Sequence, residues 1–182
     1  MITVPADALC CAKMCEAKKD VRFYLMGIFI SSKLIVATSG HVLYQYTLEG
    51  SEAEDAKEAG DGIILKIPGA VPVRAVTAEI DIKEDYVQIR YKNGTGLSIG
   101  MVVGELIDGK FPDIGRVTKI VKEQPEPCDK IAFNAGYLAK AEKIFKRINP
   151  KYTGVHVVLH GKENAAHMEF GNHLYIVMPM RL

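Results

Sequence analysis

Apolar and polar residues alternate along most of this chain in short runs, and turn-forming residues separate the runs. In one run, Val87, Ile89 and Tyr91 alternate with polar neighbours. A period of two is typical of strands with one buried face, and β-branched and aromatic residues favour such strands. Asn93-Gly94 is a strong signal for a hairpin turn. The pattern predicts strands at residues 1–4, 21–30, 34–38, 41–47, 63–67, 77–83, 86–92, 97–106, 130–133, 154–160, 165–170 and 174–178.

Helical periodicity is confined to two stretches. The first is residues 5–19, and the second is residues 135–148, which Asn134 is suited to cap. The second helix is predicted to bury a stripe formed by Leu138, Ala141, Phe145 and Ile148. Residues 70–76 contain Pro72 among β-branched neighbours and are predicted not to be helical.

The predicted elements repeat. Residues 1–48 and residues 130–182 both have the order β-α-β-β-β, and residues 63–107 have the same order without the helix. The repeated unit predicts an α+β fold of antiparallel sheets with helices on one face. Two stretches are predicted to be linkers: the acidic, glycine-bounded residues 49–62, and residues 122–129 with their two prolines.

Composition narrows the class of protein. The chain has 182 residues, of which 48% are hydrophobic and 25% charged, so it is large enough to bury a core. The formal net charge of +1 means that any contact with nucleic acid must come from a local basic face. The four cysteines lack the partners of a zinc site and favour a reducing compartment. Without a membrane-spanning run or a leader, we expect a soluble, cytoplasmic protein.

No pattern in the chain predicts catalysis. His41 has no nucleophile or carboxylate constellation around it in the sequence, and His156, His160 and His167 have no spaced ligand to complete a metal site. Gly94-Thr-Gly96 is a turn and not a phosphate loop, because no helix follows it. We therefore expect a protein that is not an enzyme and that has no metal or cofactor.

Four stretches resemble one known family. Residues 22–29 read RFYLMGIF, residues 36–43 read VATSGHVL, residues 108–117 read DGKFPDIGRV and residues 177–182 read VMPMRL. In this order they resemble R-x-Y-L-N-G-x-x-F, V-A-T-D-G-H-R-L, D-G-R-F-P-D-Y-x-R-V and the C-terminal V-M-P-M-R-L of the bacterial DNA polymerase III beta subunit, the sliding clamp. The resemblance implies the DNA-clamp fold, built from β-α-β-β-β half-modules.

The resemblance covers only part of a clamp subunit, which has three domains of two half-modules each. Residues 1–118 resemble a middle domain whose second half lacks a clear helix, residues 119–129 form a linker, and residues 130–182 resemble the last half-module. An alternative division pairs residues 1–48 with residues 130–182 as one domain and treats residues 63–118 as an inserted sheet. The sequence leaves both divisions open.

The resemblance also implies a hydrophobic pocket that binds short peptide motifs. An apolar, adaptable surface of leucine, valine, methionine and proline suits a leucine or phenylalanine anchor. Ser39 and Val42 replace the aspartate and arginine usual in the family, so we expect a less charged rim. The implied pocket residues are Leu25, Thr38, Gly40, His41, Leu43, Pro112, Val117, Val177, Met178, Pro179, Met180 and Arg181.

Clamp helices line a central hole and face DNA, so the resemblance implies a second surface. The lysines and the arginine on the two predicted helices would contact phosphates of double-stranded DNA without sequence specificity, although a basic helix face is more often simply solvated. The residues concerned are Lys13, Lys18, Lys19, Lys140, Lys143, Lys146 and Arg147.

Three hypotheses follow. The first is a small replication processivity factor that self-associates into a ring and tethers a polymerase or another DNA enzyme carrying a clamp-binding motif. The second is a clamp mimic without a ring, of the kind a phage or mobile element would encode, that competes for such partners. The third is a structural adaptor whose pocket has decayed.

Overall fold

The computed structural model describes residues 1–48, 62–84, 86–151 and 154–181. Within these ranges the helices are α1 (Ala6–Cys15), α2 (Gly115–Thr118) and α3 (Ala135–Ile148), with 3₁₀ helices at Phe23–Met26 and Lys119–Lys122. The strands are β1 (Ile2–Pro5), β2 (Ile28–Ile30), β3 (Leu34–Thr38), β4 (Val42–Thr47), β5 (Ile63–Lys66), β6 (Thr77–Ile82), β7 (Val87–Lys92), β8 (Ser98–Leu106), β9 (Ala166–Phe170) and β10 (His173–Val177).

The strands form one antiparallel sheet in the order β1-β6-β7-β8-β5-β2-β3-β4-β10-β9. The hairpins β6–β7 and β7–β8 confirm the turns predicted from the alternation and from Asn93-Gly94. The last part of the chain joins the first part through β10, which pairs with β4 along its whole length. The predicted α+β fold with antiparallel strands is therefore confirmed.

The two faces of the sheet bury different sets of residues. Ile35, Ala37 and Tyr44 belong to the main core, together with α1 and α3. Leu43 and Ile176 belong to a second apolar cluster on the opposite face, which also contains Phe111, Ile114 and Ile120. This division follows from the pleat, because successive residues of a strand point to opposite faces. The two long helices thus lie on one face as predicted, whereas the segment with α2 covers the other.

Helix α3 has the predicted bounds, and the side chain of Asn134 caps it by accepting a hydrogen bond of 2.8 Å from the Gly136 amide. Its buried stripe differs from the prediction. Leu138 is 40% exposed, whereas Ile144, which was not predicted, is 1% exposed. Tyr137 packs partly buried against the core, so the stripe is rotated toward Tyr137 and Ile144.

Helix α1 is shorter than predicted and ends at Cys15 instead of residue 19. The amide of Ala17 donates to the carbonyl of Leu25 at 2.9 Å, so the backbone has left the helical path by that point. The predicted strand at residues 21–30 is also wrong in its first half, which is a 3₁₀ helix. The Asp20 carboxylate accepts from the Arg22 amide at 2.9 Å, and such local bonds compete with strand pairing.

Two predicted strands are absent from the described residues. Residues 130–133 are irregular, although the carbonyl of Ala132 accepts from the Met180 amide at 2.8 Å. Residues 154–160 make only single bridges, between Val158 and His167 and between His160 and Glu126. The proline-containing linker at residues 122–129 supplies one of these partners. Short apolar runs predicted these strands, but their pairing is too sparse for regular strands.

The loop at residues 68–76 stands where the repeat would place a helix, and it is not helical, as predicted. Arg147 of α3 donates to the carbonyls of Val73 (3.0 Å) and Pro72 (3.5 Å) in this loop. Its Nε lies 2.7 Å from a carboxylate oxygen of Asp7 in α1. A single side chain therefore ties α3 to the first helix and to the loop.

Residues 49–61 of the predicted acidic linker lie outside the described ranges, and so does Asp85, which comes between β6 and β7 in the sequence.

Candidate functional site

Three neighbouring strands place a row of side chains on the second face of the sheet. Thr38 on β3 is opposite Leu43 on β4, and Leu43 is opposite Ile176 on β10. Directly opposed side chains in antiparallel strands are about 5 Å apart at their β-carbons. Residues from two distant parts of the chain therefore form one continuous floor.

Two further segments build the walls over this floor. Leu25 comes from the 3₁₀ helix before β2 and is buried. Pro112, Ile114 and Val117 come from the segment that leads into α2. Together with Met178, which follows β10, they enclose a pocket of about 170 Å³. Most of the enclosing side chains are apolar, and Met178 remains 39% exposed at the mouth.

One edge of the pocket carries an arginine held by an acidic neighbour. Arg22 lines the pocket and makes two bonds to the Asp20 carboxylate, Nη2 to Oδ2 at 2.7 Å and Nε to Oδ1 at 3.0 Å. These bonds lower the pKa of Asp20 to about 2, so the pair stays charged at neutral pH. Gly40 has a φ of 86°, and a β-carbon there would lie 3.2 Å from the guanidinium. Glycine thus allows both the turn and the approach of Arg22.

Residues 178–180, which follow β10, are held by backbone hydrogen bonds. The Met178 amide donates to the carbonyl of His41 at 2.9 Å. The His41 ring stacks on Tyr137 of α3, with centroids 5.8 Å apart and planes at 17°. The Tyr175 hydroxyl donates to the Tyr137 carbonyl at 2.9 Å, so β10, α3 and the turn before β4 are fastened together beside the pocket.

The predicted pocket residues divide into two groups. Those that line the pocket are Leu25, Thr38, Gly40, His41, Leu43, Pro112, Val117 and Met178. Val177 instead points to the other face of β10 and is fully buried in the main core. Pro179, Met180 and Arg181 follow Met178 and do not line the pocket.

Sequence reasoning missed part of the lining. Ile176 lines the floor, and its position two residues before Met178 predicts this, since residues i and i+2 of an extended chain share a face. The other unpredicted lining residues lie within or beside the family motifs and are Arg22, Val42, Asp113 and Ile114.

Comparisons with known proteins agree with this architecture. No protein-family model and no curated protein matches the chain. Among solved structures, the sliding clamp of Pseudomonas aeruginosa with a ligand is 16% identical and superimposes with a TM-score of 0.59, covering 100% of this chain and 66% of that one. The beta subunit of Borrelia burgdorferi DNA polymerase III, in complex with a natural product, is 14% identical, with a TM-score of 0.63 and coverages of 100% and 64%.

A third structure, the Bartonella birtlesii clamp bound to griselimycin, is 17% identical, with a TM-score of 0.61 and coverages of 99% and 66%. The chain has the sliding-clamp fold. It spans just under two thirds of the length of these clamp chains. The similarity predicted from the four motifs thus extends over the whole chain at the level of the fold.

Ser39 and Val42 depart from the sliding-clamp motif, and these departures predict a less charged rim of the pocket. Val42 is 2% exposed and lies opposite Val177, so its side chain points into the main core although the residue borders the pocket. However, Arg22 and Asp113 also line the pocket, so its edge carries both charges. A rim less charged than that of the family therefore stays a prediction, because Arg22 and Asp113 lie at positions other than the two that depart.

The basic residues predicted to face DNA differ in their exposure and in their contacts within the protein. Lys13 bonds to the carbonyl of Ile67 and lies 3.8 Å from the Glu16 carboxylate, and its side chain is 16% exposed. Lys18 and Lys19 are exposed but lie beyond the end of α1. Asp7, Cys10, Lys13 and Met14 are partly exposed, and the other residues of α1 are buried. Of the three lysines predicted on the first helix, α1 therefore carries only Lys13, and this side chain is engaged within the protein.

Helix α3 retains a basic surface. Lys143 and Lys146 are exposed, and Lys146 pairs with Glu142 at 2.6 Å. Lys140 Nζ lies 5.8 Å from the centre of the Tyr137 ring. Arg147, which is 14% exposed, is engaged by Asp7 and by the loop at residues 68–76, which gives it a structural role.

The histidines and cysteines show no sign of a metal centre. His160 and His167 are both buried, and their ring nitrogens are 3.0 Å apart. All four cysteines are free, and burial raises the pKa of the Cys15 thiol to about 12, which makes it unreactive. Over residues 1–48, 62–84, 86–151 and 154–181, no group of three or more possible metal ligands occurs.

Across the same described ranges, no helix has the length and apolar character needed to cross a membrane.

Proposed function

We propose that the chain is a small sliding-clamp-like replication processivity factor that binds clamp-binding peptide motifs in the pocket described above. The observation that carries the proposal is the meeting of three distant segments, around Leu25, Pro112 and Met178, at one apolar pocket on a sliding-clamp fold. A pocket of about 170 Å³ suits one leucine or phenylalanine side chain, and charged groups at its edge suit a few polar contacts.

The proposed partners are a DNA polymerase or another DNA enzyme with such a motif, acting in the cytoplasm. The test is fluorescence anisotropy with a labelled peptide of the type Gln-Leu-x-Leu-Phe. We expect saturable binding that Met178→Ala weakens and Met101→Ala leaves unchanged. Met101 is the matched control, because it is an exposed methionine on β8, remote from the pocket.

Absence of saturation at about 100 μM protein would contradict the proposal, because it corresponds to binding weaker than about −5.5 kcal/mol. Equal loss in the two methionine variants would also count against it, since the peptide would then bind elsewhere.

Self-assembly into a ring belongs to the same proposal. The ladder ends at β1 and β9, so both ends of the sheet can accept a strand from another copy. Sedimentation at increasing concentration, with and without circular DNA, tests this. A closed symmetric assembly supports the ring, whereas a monomer that still binds the peptide supports the alternative function, competition for clamp partners.

We also propose that double-stranded DNA is contacted through phosphates by Lys140, Lys143 and Lys146 of α3 and by Lys18 and Lys19. Lys18, Lys19, Lys143 and Lys146 are exposed and Lys140 is partly exposed, which supports the proposal, and the engagement of Lys13 and Arg147 removes those two residues from it. Binding should weaken steeply with salt. Lys143→Ala should reduce the salt dependence, and an unchanged slope would contradict a role for α3.

The division into residues 1–118, a linker at 119–129 and residues 130–182 is likewise a proposal. The pairing of β10 with β4 and the shared main core show that the two parts fold against each other. Limited proteolysis with mass spectrometry tests the division. Cleavage within residues 123–129 that leaves both parts intact and associated would support it, and earlier cleavage within residues 1–118 would contradict it.

A further inference from the structure

A second and larger cavity adjoins the pocket on the same face of the sheet. We call it the side groove, and its volume is about 760 Å³. Its floor is formed by Gln45, Leu174 and Glu169, and one wall is formed by α2 and the following 3₁₀ helix. Asp113 lines both cavities, so the side groove begins where the pocket ends.

The register of the strands relates the two floors. The row that includes Leu43 and Ile176 forms the floor of the pocket. Two residues away from this row on each strand, Gln45 of β4 is opposite Leu174 of β10, and Leu174 is opposite Glu169 of β9. Two residues of extended chain span ~6.6 Å. An extended peptide with one side chain in the pocket can therefore place the second residue before or after it over the side groove.

The floor of the side groove offers an amide to such a peptide. Gln45 is 7% exposed, and its side chain has no hydrogen-bond partner among the residues that the structure describes. A side-chain amide both donates and accepts hydrogen bonds, which matches the N–H and C=O groups of an extended backbone. Because this amide borders the open groove, a bound peptide would replace water as its hydrogen-bond partner.

The wall of the side groove carries positive charge. Arg116 and Lys119 are exposed, lie three residues apart on the helical segment, and make no ion pair in the described part of the chain. Asp113 and Glu123 lie at the two ends of this segment, and Glu169 lies on the floor. An acidic side chain of a bound peptide is therefore favoured only next to Arg116 and Lys119, between the carboxylates.

We propose that the side groove binds the residues flanking the anchor of the same motif peptide, with its backbone on Gln45 and an acidic side chain beside Arg116 and Lys119. This inference rests on the proposed peptide-binding function. It assigns a specificity: partners whose motif is followed or preceded by acidic residues bind more tightly than partners with the bare motif.

The test compares five labelled peptides, of which the first is the bare motif. Two others carry four extra residues, two of them glutamates, either before or after the motif. The last two carry the same extensions with lysines in place of the glutamates. We expect one glutamate extension to lower the Kd about fivefold relative to the bare motif, as two exposed charge contacts would. Arg116→Glu/Lys119→Glu should abolish this gain and favour the lysine peptide instead.

The matched control is Arg74→Glu/Lys151→Glu, which makes the same change of charge at two exposed residues outside the pocket and the side groove. It should keep the gain for the glutamate peptide. The bare motif should bind Arg116→Glu/Lys119→Glu as it binds the natural protein, which also shows that the variant is folded. In addition, Gln45→Leu should reduce the gain of both extended peptides without affecting the bare motif.

The outcomes separate the two proposals. If the bare motif binds and neither extension improves its Kd, the side groove has no such role, while the pocket keeps its function. If an extension improves binding equally in both double variants, the extension binds elsewhere and the inference is wrong. If the bare motif fails to bind at all, the proposed function and this inference fail together.

Discussion

Leu43 and Ile176 lie directly opposite each other on the adjacent strands β4 and β10. One belongs to the first predicted unit of the chain and the other to the last, yet they form the floor of one pocket. A slip of one residue in the pairing of β10 would place Val177 or Tyr175 opposite Leu43. The side chain of Ile176 would then point to the other face of the sheet, into the main core. The pocket therefore depends on the register between two distant strands.

Gly40 should be required for peptide binding, because it leaves room for Arg22 at the edge of the pocket. Gly40→Ala adds a β-carbon 3.2 Å from the guanidinium and strains a left-handed backbone. We expect an unfolding cost of about 1 kcal/mol and a loss of affinity of roughly fivefold, measured by urea unfolding and peptide anisotropy.

Gly69→Ala is the control for this variant. Its φ is 66°, but nothing lies within 4 Å of its β-carbon position. It should cost similar stability and leave peptide affinity unchanged. If both variants weaken peptide binding equally, the position of Arg22 does not matter to the pocket.

Arg147 should stabilise the fold more than its exposed neighbour does. It pairs with Asp7 at 2.7 Å and donates to the carbonyls of Val73 and Pro72. We expect Arg147→Met to lower the free energy of unfolding by about 1.5 kcal/mol, since it removes three polar contacts whose partners are partly exposed to water. Lys146→Met removes only the exposed pair with Glu142 and should cost about 0.5 kcal/mol or less. Equal costs in urea unfolding would refute the structural role of Arg147.

The buried stripe of α3 can be tested by two truncations. Ile144 is 1% exposed and Leu138 is 40% exposed. We expect Ile144→Ala to cost about 3 kcal/mol, the transfer and cavity terms together, and Leu138→Ala to cost about 0.5 kcal/mol. Thermal and chemical unfolding measure both. A larger cost at Leu138 would restore the stripe predicted from periodicity.

Stability should fall between neutral pH and pH 4 because of His173. Burial lowers the pKa of His173 to about 4, from an ordinary value of 6.5. Between these values the unfolded chain binds a proton that the folded ring does not, so acidification favours unfolding, and the loss is complete below the folded pKa. We expect about 1–2 kcal/mol from this residue after allowing for solvent around a ring that is not fully buried.

The measurement is urea unfolding at pH 7 and pH 4.5 for the natural protein and for His173→Gln. The variant should lose about 1–2 kcal/mol less than the natural protein over this interval. His167, whose pKa is also lowered by burial, is present in both proteins and cancels in the comparison. Identical losses would show that His173 titrates normally in the folded state.

The predictions from a clear period were the most accurate. Helix α3 and strand β7 were predicted within one residue, because each follows a single period over its whole length. The short apolar runs at residues 130–133 and 154–160 were mistaken for strands. Such runs do not show a clear period, and regular pairing depends on a partner strand that the sequence does not reveal.

The sequence by itself determined the α+β class, the pleated alternation, the cap at Asn134 and the four motifs, because these depend on local spacing and residue type. Only the tertiary structure decided that β10 pairs with β4, that Ile176 and not Val177 lines the pocket, and that Arg147 binds Asp7 and the loop at residues 68–76. These relationships join residues far apart in the chain. Their geometry depends on strand register and on the packing of all elements at once, and neither is written in any single stretch.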